Sequence, residues 1–148
     1  MYLLDTNHCS RLIFGESALS QKVERIGESL MATNLIVAGE LIFMAQKSEY
    51  KTENLVKVNS FLADINVYLL DEVTAQIYGK LKADIINLLG PKEKVKKRKF
   101  TTQKLGISDN DLWIASSAIQ NNLIVVSRDE DFSRIKQAQT FRLESWIN

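Results

Sequence analysis

Short apolar runs of strand length alternate along this chain with longer stretches whose apolar residues recur at helical spacing. Tyr2 to Leu4 is the first run, and Cys9 to Gly15 reads as a helix that ends near its glycine. From Ser17 to Leu30, the apolar positions Leu19, Val23, Ile26 and Leu30 predict a second helix. Asn34 to Ala38 is the expected second strand, and a helix starts at once from Gly39. Leu55, Val58, Phe61 and Leu62 then share one face of a further helix, before a third strand at Asn66 to Leu70. Asp71 to Gly90 is a long amphipathic helix stopped by Gly90 and by Pro91, the chain's one proline. The pattern finishes with a helix at Ser108 to Asn122, a strand at Leu123 to Ser127, a helical turn at Asp129 to Ile135 and a strand at Thr140 to Ser145.

Strands that alternate with helices imply an α/β fold of three layers, α/β/α, around a central, mostly parallel sheet of about five strands. A length of 148 residues fits one domain, with no internal repeat. In such sheets ligands bind beyond the carboxyl ends of the strands, near the point where strand order reverses. The residues that follow each strand are therefore the ones to inspect.

At 45% hydrophobic and 25% charged residues the chain has an ordinary globular composition, and no apolar stretch reaches the roughly 18 residues of a membrane span. The N-terminus enters strand-like sequence without the features of a secretory signal, so a cytoplasmic location is expected. The single cysteine, Cys9, has no disulfide or zinc partner and is expected to be a small reduced apolar residue. The single histidine, His8, forms no metal cluster; an incidental loop or cap position is favoured over substrate contact.

Net charge is +1, which by itself excludes nothing, but its distribution is uneven. From Lys92 to Lys104 there are seven basic residues against Glu93, a local balance of +6 that leaves the rest of the chain at −5. A solvated loop is one reading. The other is an arm in which Lys96, Lys97, Arg98 and Lys99 contact phosphates and steer a polyanion toward an acidic body.

That acidity concentrates at strand ends. Asp5, with Thr6 and Asn7, follows the first strand; Glu40 opens the helix after the second; Asp111 lies early in the late helix; Asp129 and Asp131 follow the strand containing Val125. Each alone could be a helix cap or a favourable charge at a helix N-terminus. Asp111 differs from Asp109 in sharing its helix side with Ala115 and Ala118, so it leans toward the sheet while Asp109 faces away. Four such positions together favour a site. If the first strand is central, Asp5, Glu40, Asp111 and Asp129 gather at one edge, and like charges so close demand a cation. No lysine or histidine stands within these motifs to offset them. Hard oxygen donors point to Mg²⁺ or Mn²⁺ over zinc, with Thr6, Asn7 and Ser127 suited to orient the carboxylates. Such sites serve phosphoryl chemistry, and the basic arm makes a nucleic acid the expected substrate. No glycine-rich phosphate loop, GxSxG or HExxH is present.

The stretches "LLDTN", "VAGELIFMA", "NDLWIASSA", "VVSRDEDF" and "FRLESW" resemble, in order, those of PIN-domain ribonucleases of the VapC toxin type. The resemblance spans nearly the whole chain and implies one PIN-like domain over residues 1–148, with a basic loop insertion at about 91–105. It maps the family's acidic residues onto Asp5, Glu40, Asp111 and Asp129, with Asp129 chosen over Asp131 for its closeness to the strand. It further implies Mg²⁺- or Mn²⁺-dependent cleavage of RNA phosphodiester bonds by a metal-activated water, inhibition by a VapB-like antitoxin protein, and a homodimer. The alternative is a non-catalytic PIN-like module that binds RNA or protein. A dehalogenase-type phosphatase with Asp5 as nucleophile is disfavoured, since Asn7 stands where a second aspartate is needed.

Overall fold

The first apolar run forms strand β1 (Tyr2–Leu4), with Leu3 and Leu4 fully buried, and it lies in the middle of the sheet. The computed structural model describes residues 1–147. After β1 come α1 (Thr6–Ile13), α2 (Ser17–Ile26), β2 (Met31–Asn34), α3 (Leu35–Gln46), α4 (Lys51–Asp64) and β3 (Asn66–Tyr68). They are followed by α5 (Glu72–Leu89), α6 (Lys94–Lys99), α7 (Asp109–Asn121), β4 (Ile124–Val126), α8 (Glu130–Ala138) and β5 (Arg142–Glu144).

Strand order is β3-β2-β1-β4-β5 and every pairing is parallel. Right-handed crossovers then place α1 to α4 on one face and α5 to α8 on the other. Helix packing agrees, since α3 rests on α4 while α5 rests on α7 and α8. The chain leaves β1 toward β2 and β3 and returns to lay β4 on the opposite side of β1. Strand order thus reverses between β1 and β4, where the backbone N–H of Asp5 donates to the Val126 carbonyl at 3.1 Å.

Leu3, Leu4, Val125 and Val126 fill the sheet, Leu41 and Val58 cover one face, and Leu81, Ile85, Leu112 and Phe132 cover the other, all essentially inaccessible. Each such side chain contributes about 1.5–3 kcal/mol on burial. Among the described residues no helix is long and apolar enough to cross a membrane.

Three local expectations shift. The second strand is Met31–Asn34, wholly buried, and Leu35 to Ala38 belong to α3. A short apolar run suits a buried strand or a helix equally, and Asn34 decides it: its side chain accepts from the Val37 N–H at 3.0 Å and caps α3. Second, α2 stops at Gly27, whose φ of +115 glycine alone adopts readily, so Leu30 lies beyond the helix and 41% exposed. Third, the basic insertion is structured: Lys94–Lys99 make a helical turn and a half, and Thr102–Leu105 a 3-10 turn in which Thr102 is fully buried.

Candidate active site

Asp5 ends β1 and caps α1, its Oδ1 accepting the backbone N–H of His8 at 2.8 Å. The His8 ring meets the same oxygen through Nδ1 at 2.7 Å. His8 is completely buried, so it is neither a loop residue nor a substrate contact. Cys9 beside it is sealed in the core, where burial pushes its thiol up and away from reactivity.

Glu40 stands in the second turn of α3, one turn further along than a strand ending at Ala38 would place it. Helix-dipole stabilisation fades over the first turn, so other groups hold it. The Thr6 hydroxyl donates to Oε2, and Asn110 Nδ2 donates to Oε1 at 2.6 Å. Glu40 thereby joins three helices, α1, α3 and α7.

Asp111 lies in the first turn of α7, where the Ser108 hydroxyl accepts its backbone N–H at 3.1 Å and caps the helix. Ala115 and Ala118 on its side are buried, and the carboxyl itself is half-buried. Burial pushes Asp111 up to about 6; hydrogen bonding with Ser108 lowers it, while the charges of Asp129, Asp131 and Glu40 raise it. Asp109 instead binds Lys82 Nζ and the Tyr78 hydroxyl, both at 2.7 Å, and Gln103 at 2.8 Å. Those donors hold its carboxyl below the usual range, Lys82 most of all, and Asp109 tethers α5 to α7.

The third group follows β4. Ser127, buried, accepts the Asp129 N–H at 3.0 Å, and Asp129 caps α8 by accepting the Asp131 N–H at 2.9 Å. Asp131 has a cation of its own: Arg134 Nη1 lies 3.0 Å from its Oδ1 and also donates to the Leu105 carbonyl at 2.5 Å. Asn7, by contrast, accepts from Arg11 at 3.1 Å.

These segments meet around one cleft of about 660 Å³, lined among others by Asp5, Glu40, Asp111, Asp129 and Asp131. It opens at the carboxyl ends of β1 and β4, where strand order reverses. One carboxylate oxygen from each of Asp111, Asp129 and Asp131 lies within 4.8 Å of the others. Oxygen-only donors gathered around a half-buried Asp111 suit a hard divalent cation. The hydrogen bonds of His8, Asn110 and Arg134 to the carboxylates were not expected. His8 and Arg134 each sit three residues after their carboxylate, a spacing that brings side chains together on a helix, whereas Asn110 is 70 residues from Glu40 and left no local signal.

The basic segment is tied to this cleft through Arg134, with none of its own residues in the lining. Its 3-10 turn is held by Gln103 to Asp109 and by the Leu105 carbonyl to Arg134, whose other partner is Asp131. Lys96, Arg98 and Lys99 are exposed and Lys97 is half-buried along α6, which presents no buried side chain.

A search for known families matches residues 2–138 to the PIN domain. Similar curated proteins include Ribonuclease VapC2 of Haemophilus influenzae, 28% identical over 149 residues covering 99% of this chain and 98% of that one. Another is the tRNA(fMet)-specific endonuclease VapC of Shigella flexneri, 25% identical over 98% of this chain and 97% of that protein. Among solved structures, VapBC2 from Rickettsia felis bound to a DNA fragment from its promoter has a chain that superposes with a TM-score of 0.76 at 27% identity, covering 99% and 98% of the two chains. The ordered strands, the strand-end carboxylates and the match over residues 2–138 agree, and this chain belongs to the PIN-domain family.

Proposed function

We propose that this protein is a metal-dependent endoribonuclease and the toxin of a VapBC-type toxin–antitoxin pair, held inactive by a VapB-like antitoxin protein and working in the cytoplasm as a homodimer. The observation that carries the reading is the convergence of six carboxylates, Glu130 included, from four separate segments on one cleft. The VapC ribonucleases that align over almost their full length support the substrate class, and the VapBC structure supports the partner.

Asp5, Glu40, Asp111 and Asp129 would hold Mg²⁺ or Mn²⁺. When bound, that cation polarises the scissile phosphate and lowers the pKa of a water so that it can attack phosphorus. Thr6 and Asn110 fix the Glu40 carboxylate from two sides, and Ser127 fixes the backbone from which Asp129 projects. Arg134 neutralises Asp131, which favours Asp129 as the fourth acidic ligand. Lys96, Lys97, Arg98 and Lys99 would carry the RNA backbone beside the cleft. The test is to incubate purified protein with a mixed RNA pool in Mg²⁺, in Mn²⁺ and in chelator. Cleavage confined to the metal-containing samples is expected; RNA bound but intact in all of them would instead identify a non-catalytic module.

A further inference from the structure

We infer that His8 is a positioning residue for Asp5: its buried ring locks one carboxylate oxygen so that the other is presented to the cation in the cleft. This deepens the proposed function and rests on its metal-binding reading.

Two N–H groups converge on Oδ1 of Asp5, the backbone N–H of His8 at 2.8 Å and the ring Nδ1 at 2.7 Å. An ionised carboxylate only accepts, so Nδ1 carries the hydrogen and donates. No hydrogen bond among the described residues goes to Oδ2, and the side chain lies at the wall of the acidic cleft. Rotation of the carboxylate about its last torsion would break both contacts, so the ring adds to the backbone N–H in fixing the plane of the carboxylate.

Helix capping does not account for the ring. The backbone N–H of His8 already supplies the cap, and any residue at this position would provide it. Packing does not account for it either. Nε2 is buried without a partner, an unfavourable arrangement that an apolar side chain of similar volume would avoid. What the imidazole adds over leucine is the second donor to Asp5. Groups that orient a carboxylate ligand in this way commonly matter about 10- to 100-fold in metal affinity.

The experiment measures Mn²⁺ binding to the full chain, without RNA, by titration calorimetry and by the loss of the free-ion paramagnetic resonance signal. It compares the wild type with His8→Leu, His8→Asn and His8→Gln, each also followed by thermal melting. The Asn amide nitrogen can take the place of Nδ1, whereas the Gln amide extends one bond further. Mn²⁺ affinity is expected to fall about 10- to 100-fold in His8→Leu and His8→Gln and to stay within a few-fold of wild type in His8→Asn. Melting temperature follows a different order, with His8→Leu at or above the wild type because it removes the unpartnered Nε2. Wild-type Mn²⁺ affinity in His8→Gln, or in a folded His8→Leu, overturns the inference while leaving the metal site intact. A wild-type chain that takes up no Mn²⁺ overturns the metal-binding reading, and the inference with it.

Discussion

Asn110 Nδ2 lies 2.6 Å from Glu40 Oε1, so the first turn of α7 holds a carboxylate that α3 supplies. The Thr6 hydroxyl holds the other oxygen, and the two donors leave Glu40 little freedom to turn away from the cleft. Replacing Asn110 by Ala is expected to lower kcat for RNA cleavage about 10- to 100-fold, with stability within about 1 kcal/mol of wild type because the pair is exposed. Steady-state kinetics beside denaturant unfolding separates the two effects. An unchanged kcat would remove Asn110 from the site.

Asp111 gives the metal-free protein a pH dependence of defined sign. Its folded-state value of about 6 exceeds the roughly 3.9 of an unfolded aspartate, so the folded state takes up the proton more readily. The resulting stabilisation is complete below about pH 4 and is lost as pH rises through about 6. Denaturant midpoints in chelator should therefore fall between pH 4 and 6, and Asp111→Asn should flatten that slope. Adding Mg²⁺ should restore stability chiefly above pH 6, where the carboxylate is free of its proton. A midpoint that rises over this window would contradict the electrostatics described for the cleft.

Arg134 ties the basic segment to the acidic one by bridging Leu105 and Asp131. Arg134→Ala should cost about 1–2 kcal/mol, less than a fully buried charged pair because the side chains are partly exposed. It should also speed tryptic cleavage between Lys94 and Lys104 several-fold while the rest of the chain resists. Equal cleavage rates in both proteins would show that the segment is held elsewhere.

The arm itself is tested by salt. Replacing Lys96, Lys97, Arg98 and Lys99 by Gln should reduce the slope of log K against log salt for single-stranded RNA by about 2 to 3, if all four contact phosphates. Binding should weaken for every RNA alike, since such contacts carry no sequence information. An unchanged slope returns the segment to a solvated surface.

How much of this was legible in the sequence depended on chain distance. The parallel α/β architecture followed from the alternation of elements, whereas the central position of β1 entered as a condition for the carboxylates to meet and is supplied by the strand order. The second strand did not, because Leu35 to Ala38 is apolar enough for either structure and only the Asn34 cap separates them. The His8 contact was accessible in principle: His8 is the third residue after a capping aspartate, the place from which side chains reach back to the cap. Asn110 to Glu40 spans 70 residues, and no local pattern encodes such a meeting. The helical turn inside the basic segment was hidden by its charge, although lysine and arginine are good helix formers when solvated.

Asp5 carries the central claim, because it alone issues from the middle strand at the reversal of strand order. The decisive comparison is wild type against Asp5→Asn, each purified without carried-over nuclease, assayed for RNA cleavage in Mn²⁺ and for Mn²⁺ affinity. Asparagine keeps an oxygen to cap α1, so the fold and its melting transition should survive. Cleavage should disappear and Mn²⁺ affinity should fall at least tenfold. Asp5→Asn protein that cuts RNA at the wild-type rate would contradict the assignment of this cleft as a metal-dependent nuclease site.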